Sequence, residues 1–172
     1  MGNKIYLVDS NAFIEPFELY YAFGFASKFW DQLLEYVEEG RIVILDLVRI
    51  ECTRQDNDLQ KWFELVNDKK DITYRTEQYI SNYGLVLQYL QESPYYTDVA
   101  VKKWAEMGIA DPWLIAVAKA EGFTLVTREK VQGDLNKNQP TSKPKIPNVA
   151  KAFDVEVIDL FDMMSELDFK LA

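Results

Sequence analysis

Four acidic side chains, Asp9, Glu51, Asp111 and Glu129, stand beside the ends of predicted strands and helices, where an α/β protein does its chemistry. The run Ile5-Tyr6-Leu7-Val8 reads as a buried strand and ends abruptly in Asp9-Ser10-Asn11. The chain has no histidine and one cysteine, Cys52. Those absences exclude Ser-His-Asp and Cys-His catalysis, His-ligated zinc and multi-thiolate metal sites. Neither a Walker A loop nor a G-x-G-x-x-G fingerprint occurs. Carboxylates crowded to within about 4 Å repel by a few kcal/mol per pair, so they must hold protons or share a cation. An all-oxygen ligand set favours Mg²⁺ or Mn²⁺. Two such ions can serve an in-line phosphoryl displacement without an imidazole base.

The elements that must position these groups follow from hydrophobic spacing. After Asp9, residues 12–25 are dense in aromatics and interrupted by Pro16, which predicts a short helix and then an apolar loop or broken helix. Phe29, Leu33, Leu34 and Val37 recur at helical spacing up to Gly40. Ile42-Val43-Ile44-Leu45 is a second strand closed by Asp46, completing a parallel βαβ unit. Asp46 is placed to cap the helix that carries Glu51. Helical segments at 55–66, 73–92 and 97–107 form a helical insertion at about 55–108. Asp111-Pro112 has the form of an N-cap followed by proline in the first turn, opening a helix that runs to Glu121 and stops at Gly122. Residues 123–127 make a third strand, which ends in Thr127-Arg128-Glu129. Residues 131–148 read as a loop, 150–153 as a short helix, 155–158 as a fourth strand and 160–167 as a terminal helix.

The expected class is α/β, a single domain over residues 1–172. Net charge is −9, which argues against a broad basic nucleic-acid surface. It leaves room for an acidic protein that meets phosphate through bound metal and a few local Lys and Arg. The opening Met1-Gly2-Asn3-Lys4 lacks the apolar core of a secretory signal, no apolar run is long enough to span a bilayer, and one cysteine suits a reducing compartment. A cytoplasmic protein with no membrane partner is expected. Each carboxylate also has a plain structural reading: Asp9 as a turn residue, Asp111 as a helix cap, Glu51 paired with Arg54, and Glu129 as a solvated loop charge.

Tyr6-Leu7-Val8-Asp9-Ser10-Asn11, Val48-Arg49-Ile50-Glu51, Ala110-Asp111-Pro112-Trp113-Leu114-Ile115-Ala116 and Leu125-Val126-Thr127, in that order, resemble the PIN-domain family. Lys145-Ile146-Pro147-Asn148-Val149 and Val157-Ile158-Asp159-Leu160-Phe161 look like one bacterial and archaeal branch of it, related to VapC-type toxins. The resemblance implies a three-layer α/β/α sandwich around a parallel sheet. It also implies Mg²⁺- or Mn²⁺-dependent endoribonuclease activity on RNA and, in many members, a toxin held by an antitoxin protein. Asp9, Glu51 and Asp111 match three acidic ligands of the family. The fourth is usually an Asp shortly after the strand-end threonine, whereas Arg128 and then Glu129 follow Thr127 here. Ser10 matches a small hydroxyl that supports the first carboxylate. Arg128 and Lys145 are candidates for substrate phosphate, with solvated surface charge as their alternative. The aromatic stretch from Phe13 to Trp30 leaves a second possibility open: a PIN-like protein of weak activity that acts by binding a protein partner, whether an antitoxin or a second copy in a homodimer. Exposure of Tyr20, Tyr21 and Phe25 would favour that interface.

Overall fold

The computed structural model describes residues 3–171; Met1, Gly2 and Ala172 lie outside the described residues. Four parallel strands form the sheet: β1 (Tyr6–Val8), β2 (Ile42–Val43), β3 (Thr124–Val126) and β4 (Val157–Ile158), in the order β2-β1-β3-β4. Register pairs Leu7 with Val43 on one side and Val8 with Val126 on the other. Parallel strands need crossover connections, and the helices supply them: α1 (Asn11–Glu15), α2 (Ser27–Glu38), α3 (Asp46–Cys52), α4 (Asp58–Leu65), α5 (Glu77–Glu92), α6 (Asp98–Trp104), α7 (Asp111–Glu121), α8 (Ile146–Lys151) and α9 (Leu160–Glu166). The protein is therefore α/β with a four-stranded parallel sheet, and its layering is compatible with a three-layer sandwich.

The chain leaves β1 toward β2 and later returns to the other side of β1 as β3, so strand order reverses between β1 and β3. The crevice beyond the carboxyl ends at such a switch point is where open α/β sheets bind ligands. Leu7, Val8, Leu125 and Val126 are fully buried, which is why both central strands read as unbroken apolar runs.

Several elements are shorter or displaced relative to their sequence patterns. The second strand stops at Val43, and Leu45 instead bridges Ile72, with Ile72 N–H donating to Ile44 O at 2.8 Å and Asp46 N–H to Ile72 O at 3.0 Å. The third and fourth strands shrink to Thr124–Val126 and Val157–Ile158. The short helix expected at 150–153 is Ile146–Lys151, with Pro147 in its first turn where a missing N–H costs nothing. After Pro16 the broken helix continues as a π-helical turn, Pro16–Tyr20. The helices expected at 55–66, 73–92 and 97–107 span Asp58–Leu65, Glu77–Glu92 and Asp98–Trp104. The helix stops do fall at glycines: Gly40 and Gly122 have φ of 73° and 72°, a conformation a side chain would strain.

Burial explains the 58–104 stretch. Leu59, Trp62 and Phe63 of α4 join the core with Phe13 and Trp30, and Trp62 Nε1 donates to Trp30 O at 3.2 Å. Helix α5 packs along α7. Among the described residues no helix is long and apolar enough to cross a membrane.

Candidate active site at the carboxyl edge

Asp9 follows β1 directly and is almost wholly buried, 3% exposed. Both of its carboxylate oxygens accept hydrogen bonds. Ser10 N–H donates to Oδ1 at 2.7 Å, and Thr127 Oγ1 donates to Oδ2 at 2.8 Å from the end of β3. The Ser10 hydroxyl adds a longer contact to Oδ1, 3.4 Å. The main chain closes the same corner, with Asp9 N–H donating to Val126 O at 2.9 Å. Ser10 and Thr127 are thus the residues whose side chains and main chain hydrogen-bond the first carboxylate. Burial nevertheless pushes Asp9 up to about 6; the hydrogen bonds from Thr127 and Ser10 pull it down, and the charges of Glu51 and Glu129 push it further up.

Asp111 reaches the same corner from α7. It does not cap the helix, which corrects the sequence reading. Ala110 holds the cap position with helical φ and ψ of −77° and −31°, and Asp111 is the first helical residue. A capping side chain needs an extended backbone at its own residue, which Asp111 lacks. Asp111 is raised to about 7, by burial first and then by the charges of Asp9, Glu129 and Glu51, against a hydrogen bond from its own backbone N–H.

Glu51 sits in the last turn of α3, half-buried, and raises both Asp9 and Asp111 by its charge. Its alternative as a partner of Arg54 is not met: among the described residues Glu51 forms no ion pair. The helix is anchored two residues earlier by Arg49, which pairs with Asp71 and donates to Phe63 O at 2.7 Å. Beneath it Cys52 is buried, and burial pushes its thiol well up, so it is an inert packing residue.

Glu129 is not a solvated charge. Its carboxylate accepts from Ile146 N–H at 2.6 Å and pairs with Lys145 Nζ at 3.3 Å, holding the start of α8, while its own N–H donates to Thr127 Oγ1 at 3.2 Å. Arg128 pairs with Glu15 of α1. Both cations expected at substrate phosphate are thus committed to carboxylates of the protein. No periodic pattern in the chain foretold the Glu15–Arg128 pair. Asp46 is a further carboxylate at this edge. It is the first residue of α3, with Leu45 in the cap position that the sequence assigned to Asp46. It accepts from Leu47 N–H at 2.8 Å and Tyr74 N–H at 3.4 Å, and burial raises it.

Four carboxylates from four segments therefore feel one another beyond the switch point. Their oxygens suit a hard divalent cation. Among the described residues, however, no three of them close around one point as a ready-made ligand set. The arrangement can concentrate negative charge and hold protons near neutral pH. It can also accept a cation that relieves the repulsion.

Fold and site together define an α/β protein with acidic side chains gathered at the carboxyl end of a parallel sheet. Over residues 6–171 the chain matches the family described as a domain of unknown function (DUF4411), and it belongs to that family. No curated protein and no solved structure matches it.

Proposed function

We propose that this chain is a PIN-like, Mg²⁺- or Mn²⁺-dependent endoribonuclease acting in the cytoplasm, and the toxin of a toxin–antitoxin pair. The observation that carries the reading is the gathering of Asp9, Glu51, Asp111 and Glu129 at the switch point of the sheet, where burial first, and then the neighbouring carboxylates, raise Asp9 to about 6 and Asp111 to about 7. Asp9, Glu51 and Asp111 would hold the cation. When bound, it supplies charge neutralisation for the phosphodiester and lowers the pKa of attacking water. The chain's own groups do the positioning. Thr127 and the Ser10 amide fix the plane of the Asp9 carboxylate, so that it need not reorganise during reaction. Glu129, held by Ile146 and Lys145, adds the fourth negative charge. RNA cleavage in the presence of Mn²⁺, compared between wild type and Asp9→Asn or Asp111→Asn, tests this directly. Loss of cleavage with circular dichroism unchanged supports it; equal cleavage by the variants sinks it.

A partner-binding reading keeps one specific support. Tyr20 and Phe25 are 43% and 77% exposed, and Leu19, Phe161 and Leu171 are exposed as well. Tyr20 contacts Phe161 edge-on at 6.3 Å, and Tyr20, Phe25 and Leu171 border one cavity. Tyr21 is tied into the core, stacked on Phe29 at 4.4 Å. Such a patch suits a protein partner, an antitoxin or a second copy. Sedimentation of wild type against Phe25→Asp separates a homodimer from a monomer.

A further inference from the structure

We propose that the loop 130–145 is a track for the sugar–phosphate backbone of single-stranded RNA leading to the acidic edge. The inference rests on the nuclease reading for its ligand and on separate residues for its argument. Between residues 130 and 145 stand four lysines and one acidic residue, Asp134, a net charge of +3; the whole chain carries −9, so the remainder carries −12. Lys130 and Lys145 face Asp159 and Glu129 just outside this window, so the loop's unpaired cations are Lys137 and Lys143, on a chain that is otherwise acidic. Polyanions are drawn to such a patch and repelled by the rest.

The loop is built to hold that charge in place. Its two ends meet at Glu129, whose carboxylate takes Ile146 N–H at 2.6 Å and Lys145 Nζ at 3.3 Å. Gln132 and Asn148 close the neck a second time, Gln132 N–H donating to Asn148 Oδ1 at 2.8 Å and Asn148 Nδ2 to Gln132 O at 2.9 Å. Near its far side the loop is stitched to the α5–α6 connection, with Thr141 N–H donating to Tyr95 O at 2.9 Å and Thr97 N–H to Thr141 O at 3.1 Å. A compact loop with joined ends is the form in which surface loops carry binding sites. Its neck residue is the same Glu129 whose charge acts on Asp9 and Asp111.

The four lysines divide by role. Lys130 pairs with Asp159 and Lys145 with Glu129 at the surface, so both already face a carboxylate of the chain. Lys137 and Lys143 are exposed, and neither pairs with a carboxylate among the described residues. These two are the free phosphate-binding cations. Thr141, Ser142 and Asn138 lie between them as neutral hydrogen-bonding residues, with no carboxylate to compete for the lysines.

Binding of a fluorescein-labelled single-stranded RNA of mixed sequence, followed by anisotropy in EDTA across a salt series, tests the track without cleavage. Lys137→Gln/Lys143→Gln is compared with Lys69→Gln/Lys119→Gln, which removes the same charge from exposed positions off the loop. Weaker binding by the loop variant is expected, with a log–log salt slope shallower by about 1.4 (about 0.7 for each phosphate that is no longer neutralised), and near wild-type binding by the control. Equal weakening in both variants, or none in either, overturns the track, as does absence of binding by wild type. The same RNA with Mn²⁺ added separates the two ideas. Lysine-dependent binding without cleavage removes the nuclease reading and leaves the track standing. Cleavage with the same KM in wild type and the loop variant removes the track and leaves the nuclease.

Discussion

Thr127 Oγ1 donates to Asp9 Oδ2 at 2.8 Å, joining the carboxyl ends of the two central strands across 118 residues of chain. The bond lies inside a buried corner and opposes the burial that raises Asp9. Thr127→Val keeps the shape and removes the donor. It should cost about 1–2 kcal/mol of stability by urea unfolding. It should also push Asp9 further above 6, moving the acid limb of any metal-dependent activity to higher pH. Thr127→Ser should restore both readouts, whereas a purely steric role for the residue would not be rescued by serine.

Metal-free stability should fall as pH rises from about 4 to about 7. Asp9 and Asp111 hold protons up to about 6 and about 7 in the folded protein, against a starting value of 3.8. The folded state therefore binds more protons than the unfolded chain in that window, and each proton released on the alkaline side disfavours folding. Asp111→Asn removes one half-buried charge at a residue that is not the helix cap. At pH 8 it should raise the melting temperature by roughly 4–8 °C, on the order of 2 kcal/mol, with little change at pH 4. A lower melting temperature at pH 8 would show that Asp111 is not under electrostatic pressure.

Mn²⁺ should reverse that pH dependence. A cation that binds ionised carboxylates stabilises the fold by mass action, more at pH 8 than at pH 5, where Asp9 and Asp111 are largely protonated. Calorimetric titration should detect Mn²⁺ binding to wild type and none to Asp9→Asn/Asp111→Asn. Equal heats for the two proteins would assign the ion to another place.

Glu129→Gln should separate charge from anchoring. The amide can still accept from Ile146 N–H, so α8 stays in place, while the ion pair with Lys145 is removed. Asp9 and Asp111 should both titrate lower without the Glu129 charge, and stability near pH 7 should change by less than about 1 kcal/mol. Cleavage should fall less than in Asp111→Asn. A loss as large as that of Asp111→Asn would make Glu129 a full member of the ligand set.

Arg49 sets where α3 carries Glu51. It pairs with Asp71 and donates to Phe63 O and Val66 O, with 16% and 8% of the Arg49 and Asp71 side chains exposed. Asp71→Asn leaves a half-buried guanidinium without its counter-charge and should cost about 3 kcal/mol in urea unfolding. Cleavage should drop with it if the register of α3 positions Glu51.

Local pattern alone determined much of this protein. The apolar runs at Tyr6–Val8 and Thr124–Val126 announce central strands because both of their faces are buried. Gly40 and Gly122 mark helix ends because only glycine takes their backbone without strain. The residue types at Asp9, Glu51, Asp111 and Glu129 limited the chemistry before any contact was known, since a chain with no histidine and one cysteine must draw a metal-ligand set from oxygen. Tertiary structure decided what those residues touch. Asp111 is released from capping because Ala110 already has a helical backbone, a choice made by how the preceding segment enters α7. Arg128 and Lys145 pair with Glu15 and Glu129 because the fold brings those segments together. Periodicity records which face of an element is buried, over a few residues. Which distant carboxylate meets which cation depends on crossovers that carry no local signal, and so only the folded chain shows it.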